Sequence, residues 1–334
     1  MSVEIELYDG DDRDRWNGHV DRSPQSTPFH RYEALEVLAD ASGTELYPMV
    51  GYKGQEPVGL LPVFVLSKGP VSAAFSPPPD LKVSYLGPAL LNFEKLKQRK
   101  AERRHDRFVE GCIDRLEAEC NPRFVQIRSG PWYDDPRPFG WNDFEVTPAY
   151  TYVVDLDGDR DELIQSFSSD ARRNVRGSTD ADVEIKEGGR RSINRIIMQV
   201  TERHERQSES YNLTPETVVS LYNRLGEETV RPYVCTVDGA FVGGVVTVED
   251  SNTIYRWQGG AKPETDLPIN DLLDWHIMTD AMDRGIGQYD LVGANNQRLC
   301  GYKAKFAPDL KLYYSIQYSL PGMGLISGLY KQIR

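Results

Sequence analysis

The stretch Val234-Cys-Thr-Val-Asp238-Gly239-Ala-Phe-Val242-Gly243-Gly-Val-Val-Thr-Val248 reads as strand, tight turn, strand. Asp-Gly is a strong hairpin signal, because the turn needs positive φ and glycine adopts it freely. An earlier stretch has the same form: Met49-Val-Gly-Tyr-Lys-Gly54-Gln-Glu-Pro-Val58-Gly59-Leu-Leu-Pro-Val-Phe64, with Lys53-Gly54 as a weaker turn. In both, the second strand carries Val-Gly soon after the turn. A glycine inside a strand marks a bulge or a close backbone approach.

Each hairpin follows helical sequence. Leu35, Val37 and Leu38 give residues 32–41 an apolar face, and Gly43 closes it. In the second half, residues 192–206 and 214–225 read as helices. Thr214-Pro215 supplies a cap and a first-turn proline, and Gly226 a stop. A helix-then-hairpin unit thus occurs twice. It predicts an α/β (α+β) protein of two similar domains, each a mixed twisted sheet flanked by helices, spanning 1–149 and 150–334, with the last residues able to pack back on the first. Residues 150–156 open the second domain as a strand. Strand 253–257, a helix from Pro268-Ile-Asn270 to Gly285 with Leu273, Ile277 and Ala281 in one stripe, strand 289–292, loop 293–296 and strand 311–318 complete it.

The 334 residues suffice for two cores. The longest apolar run, 58–66, is too short for a membrane span and the acidic start carries no secretory signal, so a cytoplasmic protein is expected. Cys112, Cys120, Cys235 and Cys300 show no paired spacing and read as reduced thiols. The net charge of −12 argues against indiscriminate nucleic-acid binding. Against that balance stands the segment 95–107, with Lys95, Lys97, Arg99, Lys100, Arg103, Arg104 and Arg107, suited to tRNA phosphates or an anionic membrane surface, or to a solvated helix face. The end of the chain, 323–334, is mildly amphipathic, suited to peripheral membrane contact or to docking on its own domain.

Several chemistries lose support. No phosphate-binding Walker loop, no dinucleotide Gly-rich turn, no paired Cys/His metal set and no nucleophile elbow is present, so no metal is expected. What remains is the run Tyr289-Asp-Leu-Val-Gly293-Ala-Asn, then Tyr302-Lys303-Ala304-Lys305-Phe306, behind the helix at Asn270 and the stretch Tyr255-Arg-Trp257-Gln-Gly-Gly260. With Ala171-Arg172-Arg173-Asn174-Val175-Arg176 and Tyr85-Leu-Gly87-Pro88, this sequence resembles the FemABX-like aminoacyltransferases, proteins of tandem GNAT-like domains. The resemblance covers most of the chain and is best over 150–314.

That resemblance implies an N-acyltransferase. An aminoacyl group would pass from an activated ester, an aminoacyl-tRNA, to a primary amine of a cell-envelope or peptide acceptor. No cofactor would be permanently bound; aminoacyl-tRNA or acyl-CoA would serve as co-substrate. Ester aminolysis develops an oxyanion, and a fixed cation aimed at it is a large catalytic term. Lys303 takes this role by resemblance, with Lys305 its local competitor and Tyr302 and Phe306 shaping the pocket. Arg172 and Arg176, four residues apart on one helix face, suit a substrate phosphate or carboxylate. Arg203, Arg206 and Tyr211 match a family stretch near the acceptor, Trp257 is expected either to line the site or to pack in the core, and Asn270 opens a helix toward the ligand.

The pattern also breaks. Residues 29–41 hold no lysine where the family's cell-wall members hold one, and Gly87-Pro88 is followed by no acid. Glu264 and Asp266 stand where an acyl-CoA pyrophosphate would need a Gly-rich loop, which disfavours that donor. The alternatives are an acyl-CoA-dependent enzyme of the same fold and a non-catalytic glycan- or peptide-binding module.

Overall fold

The computed structural model describes residues 2–177 and 181–320. The chain divides into two units, Met1–Ala149 with Leu312–Arg334, and Tyr150–Lys311. The amphipathic end at 323–334 lies outside the described residues.

The first stretch runs β1 (Glu4–Leu7), α1 (Arg13–Val20), α2 (Tyr32–Ser42), β2 (Glu45–Lys53), β3 (Glu56–Lys68), β4 (Val71–Ser76), β5 (Ala89–Leu90), α3 (Gln98–Cys120), β6 (Phe124–Arg128) and α4 (Arg137–Trp141). The second runs β7 (Glu145–Asp155), α5 (Arg160–Ser166), α6 (Ser169–Arg176), β8 (Val183–Glu187), α7 (Arg190–Arg206), α8 (Pro215–Leu225), β9 (Val230–Val237), β10 (Ala240–Glu249), β11 (Thr253–Ala261), α9 (Ile269–Asp283), β12 (Gln288–Asp290) and α10 (Gln297–Lys303). Strand β13 (Asp309–Ser319) follows.

The two units share one topology. In the first, β1-β2-β3-β4 are antiparallel neighbours, α3 crosses over, and β6 lies parallel to β4. In the second, β8-β9-β10-β11 are antiparallel, α9 crosses over, and β12 lies parallel to β11. A parallel pair requires such a crossover, and a helix supplies it. β7 flanks β12, and β13 flanks β6 through Ser315↔Arg128 and Ile316↔Ile127. The second unit ends at Lys311, and the chain returns to the first at Leu312. Ile316 is fully buried in the first unit's core beside Ile127 and Val125, which draws β13 there.

The glycines inside the strands have a steric cause. At Gly59 an added Cβ would stand 2.8 Å from the Phe108 ring of α3. At Gly244 it would meet Ile196 of α7 at 2.7 Å. The β9–β10 hairpin turns at Asp238 (φ 49°) and Gly239 (φ 77°), and its register shifts between Phe241 and Gly243. Leu273, Ile277 and Ala281 of α9 are fully buried beneath the second sheet. Each large apolar side chain so buried contributes about 1.5–3 kcal/mol.

Candidate active site

Strands β11 and β12 pair only over Thr253↔Gln288 to Tyr255↔Asp290, then part. Open sheets take ligands where parallel strands end and diverge. The side chains that converge at this parting come from β11, α9, β12 and α10.

Their hub is Asp274 of α9, which is wholly buried. Its Oδ1 accepts from Arg256 Nε at 2.6 Å and from Tyr289 Oη at 2.7 Å. Its Oδ2 accepts from Tyr302 Oη at 2.6 Å. Burial opposes the Arg256 charge, but Asp274 and the two phenols raise its pKa above the ordinary arginine value. Burial, then the Asp274 charge, drive the Tyr289 and Tyr302 phenols well above theirs. Asn270 ties the elements together: its Oδ1 accepts from Ala261 N at 2.9 Å and from Arg256 Nη2 at 3.4 Å.

Lys303 lies at the end of α10 and is 8% exposed. Its Nζ donates to Val292 O at 2.8 Å and to Gly293 O at 2.7 Å. Val292 has φ 54° and Gly293 φ 87°. A β-branched residue in the left-handed region is strained, so surrounding bonds must hold it there. They do. Asp290 Oδ1 accepts from Val292 N at 2.7 Å and from Thr151 Oγ1 at 2.6 Å, and Thr151 Oγ1 accepts from Gly293 N at 2.9 Å. Burial, then the nearby Arg256 charge, lower the Lys303 pKa to about 8. An ammonium has three donors, and the two carbonyls take two.

Further cations approach from α7. Arg203 is half-buried; burial and the Arg256 and Arg298 charges lower its pKa. One turn earlier Gln199 Nε2 donates to Gly260 O at 3.2 Å, while the buried Gln199 Oε1 has no hydrogen-bond partner among the described residues. Tyr211 Oη donates to Gln258 Oε1 at 2.8 Å, and its ring packs on His204 with centroids 4.8 Å apart.

The structure thus brings Lys303, Tyr302, Asn270 and Tyr211 around the end of β11. Trp257 is buried on β11, at the point where the register against β10 shifts. Five expected residues stand elsewhere. Phe306 is fully buried against Phe167 and Tyr302 and serves the core rather than a pocket wall. Lys305 does not share the Lys303 position. It pairs with Asp271 at 3.0 Å and Asp170 at 3.4 Å, and Asp271, a residue of the first turn of α9, also accepts from Asn174 Nδ2 at 2.5 Å. Arg172 is turned onto Gln165, and Arg206 forms an exposed pair with Glu264 at 2.8 Å. Arg176 is exposed at the end of α6.

The basic segment is the start of α3. Lys95, Lys97, Arg99, Lys100 and Arg103 are exposed, whereas Arg104 is buried and turned toward Glu56 at 3.1 Å. Among the described residues no three His, Cys, Asp or Glu side chains come together as a metal site, and no helix is long and apolar enough to cross a membrane.

Asp274, Tyr289, Thr151 and Asp290 were not anticipated. The available signal was an acid, Asp274, beside the apolar stripe of Leu273 and Ile277, where only a paired charge is tolerated.

Residues 165–304 match the acetyltransferase (GNAT) domain family. An acyltransferase domain of the GNAT type thus occupies most of the second unit, whose topology the first unit repeats. Over its full length the chain has the fold of FemX, at TM-score 0.72 and 12% identity, covering 99% of each chain. It is also similar to L-PGS from Bacillus licheniformis (TM-score 0.57, 11% identity, 96% of this chain and 95% of that one). A third likeness is the C-terminal domain of a putative lysylphosphatidylglycerol synthetase from Agrobacterium fabrum (TM-score 0.52, 14% identity, 92% and 91%). At these identities the likeness is one of fold. No curated protein matches the chain.

Proposed function

We propose that the protein is an N-acyltransferase that moves an aminoacyl group from an aminoacyl-tRNA ester to a primary amine of a peptide or lipid-linked cell-envelope acceptor. The reading rests on Lys303. It is a buried ammonium fixed by two carbonyls, with a third donor left for a substrate oxygen. The acceptor nitrogen attacks the ester carbonyl carbon, the carbonyl oxygen gains charge, and the C–O bond to the ribose breaks, the ribose oxygen departing as a hydroxyl with the proton that the amine gives up. Lys303 stabilises that oxygen, and its fixed position means no reorganisation at the moment of reaction. Arg203 supplies a cation for an anionic part of a substrate. The exposed bases at the start of α3 serve as the contact for tRNA phosphates, and a cytoplasmic protein with peripheral membrane contact suits such an acceptor.

The second reading, an acyl-CoA donor, is favoured by the acetyltransferase domain match at 165–304. The Asp271 carboxylate in the first turn of α9 weighs against it. Its negative charge in the first turn opposes a pyrophosphate at that helix start.

The deciding experiment incubates the protein with charged tRNA or with an acyl-CoA panel, plus a diamine acceptor, and reads product mass. Mass gain from charged tRNA alone supports the proposal. Gain from acyl-CoA alone replaces it with the second reading, and turnover undiminished in Lys303→Ala removes Lys303 from the chemistry.

A further inference from the structure

The first unit has its own parting of parallel strands. Its parallel pair, β4 with β6, ends at Ser76↔Ile127, and Arg128 is the next residue. Val125 and Ile127 turn into the core under α3, so alternation puts Arg128 on the opposite face, where it is half-buried. On β13, Ser315 pairs with Arg128, which sets Tyr313 two residues along the same face. The Tyr313 ring meets the Tyr85 ring edge-on, centroids 5.0 Å apart. The Gly87-Pro88 segment crosses this strand end at backbone contact. Leu86 N donates to Arg128 O at 3.1 Å, and a Cβ at Gly87 would stand 2.7 Å from Ser129 Cα.

Among the described residues no carboxylate balances Arg128. Burial lowers its pKa, and the groups that partly restore the charge are the Tyr313 and Tyr85 phenols. It forms no ion pair among the described residues. The buried arginine of the second unit stands on the other strand of its parallel pair: Arg256, the residue of β11 beyond the last β11–β12 pair, has Asp274 at 2.6 Å. A sheltered cation without a counter-charge is destabilising, and a bound anion removes that cost.

We propose that Arg128, with the Tyr85 and Tyr313 phenols, forms an oxyanion subsite in the first unit, one that takes a phosphate or carboxylate group. The guanidinium fork offers planar, bidentate recognition of either group, and phenol hydroxyls are suited to donate to further oxygens. The subsite is independent of the acyl-transfer reading, which concerns the other unit. It also gives the Tyr85-Leu-Gly87-Pro88 segment a purpose: it carries Tyr85 and brings backbone against the strand end.

Two measurements test it. Crystals of the whole protein soaked in tungstate should show an anomalous peak within hydrogen-bond reach of the Arg128 guanidinium; no peak there overturns the proposal. In solution, inorganic phosphate and acetate are titrated separately and the melting temperature is read, since a ligand of the folded state raises it. Wild type and Arg203→Gln should both respond, and Arg128→Gln should need at least tenfold more anion for the same rise. A response to phosphate alone assigns a phosphate-bearing ligand, and a response to acetate assigns a carboxylate. An Arg128→Gln response equal to wild type, or no response in wild type, overturns the subsite. Should Arg128→Gln fail to fold, Arg128→Lys tests the same point through its weaker response, and the soak of the native protein decides.

Discussion

Lys303 Nζ stands 2.8 Å from the carbonyl oxygen of Val292, and the backbone presenting that oxygen is left-handed at a β-branched residue. Strain on one side of the bond and a desolvated charge on the other are both costs to folding. Their coexistence at the end of a parallel strand pair is the pattern expected of a site that serves chemistry rather than stability.

Lys303→Ala should lower kcat by roughly 100- to 1,000-fold, the range for removing one oxyanion donor. The fold should persist, because α10 is anchored separately by Asn296, whose Oδ1 accepts from the Arg298 and Leu299 amides. Steady-state kinetics on the pure variant, beside its far-UV spectrum, checks both halves.

The pH profile should have a basic limb near pH 8. Lys303 loses its proton at about 8 rather than 10.5, and the cation is the form that stabilises an oxyanion. Activity is therefore present below that value and lost above it, and Lys303→Arg should push the limb upward. Stability moves the other way. Between about 8 and 10.5 the unfolded chain binds more protons at this residue than the folded one, so its contribution to stability rises with pH. Urea melts at pH 7 and pH 10, wild type against Lys303→Ala, should show that increment in wild type only.

Asp274→Ala should destabilise the protein by about 3–5 kcal/mol, because it leaves Arg256 buried without its counter-charge. Asp274→Ala with Arg256→Met should recover part of the loss. Chemical denaturation of the single and double variants gives the coupling, and simple additivity would show that the pair is not coupled.

Val292→Gly should melt no lower than wild type despite losing a side chain, since a non-glycine left-handed residue costs about 1–2 kcal/mol. Its activity should fall all the same, because a freer backbone no longer fixes the carbonyls that hold Lys303. Calorimetry and kinetics on one preparation would separate the two effects.

Much of the fold was legible because its signals are local. Asp238-Gly239 sets a turn, Thr214 caps α8 by accepting from Thr217 N, and Leu273, Ile277 and Ala281 sit one helical turn apart. Of the candidate site, resemblance pointed to Lys303 and Tyr302, and a helix start pointed to Asn270. The Asp274 hub gathers Arg256, Tyr289 and Tyr302 from three other elements, and no spacing along the chain encodes that meeting. Lys305 and Arg206 were misleading for a related reason. A cation in a promising motif gives no sign of the acid, Asp271 or Glu264, that the fold will set beside it.

The return of β13 to the first unit has a consequence for biosynthesis. The strand that completes that sheet lies beyond the whole of the second unit in sequence. At about 5–20 residues per second, the ribosome leaves the β6 edge bare for roughly 10–30 seconds after the first unit has emerged. An open edge invites pairing with other nascent chains. Yield in a cell should therefore depend on what shelters β6 during that interval, and chains interrupted before residue 309 should aggregate even though both helix-crossed sheets are otherwise complete.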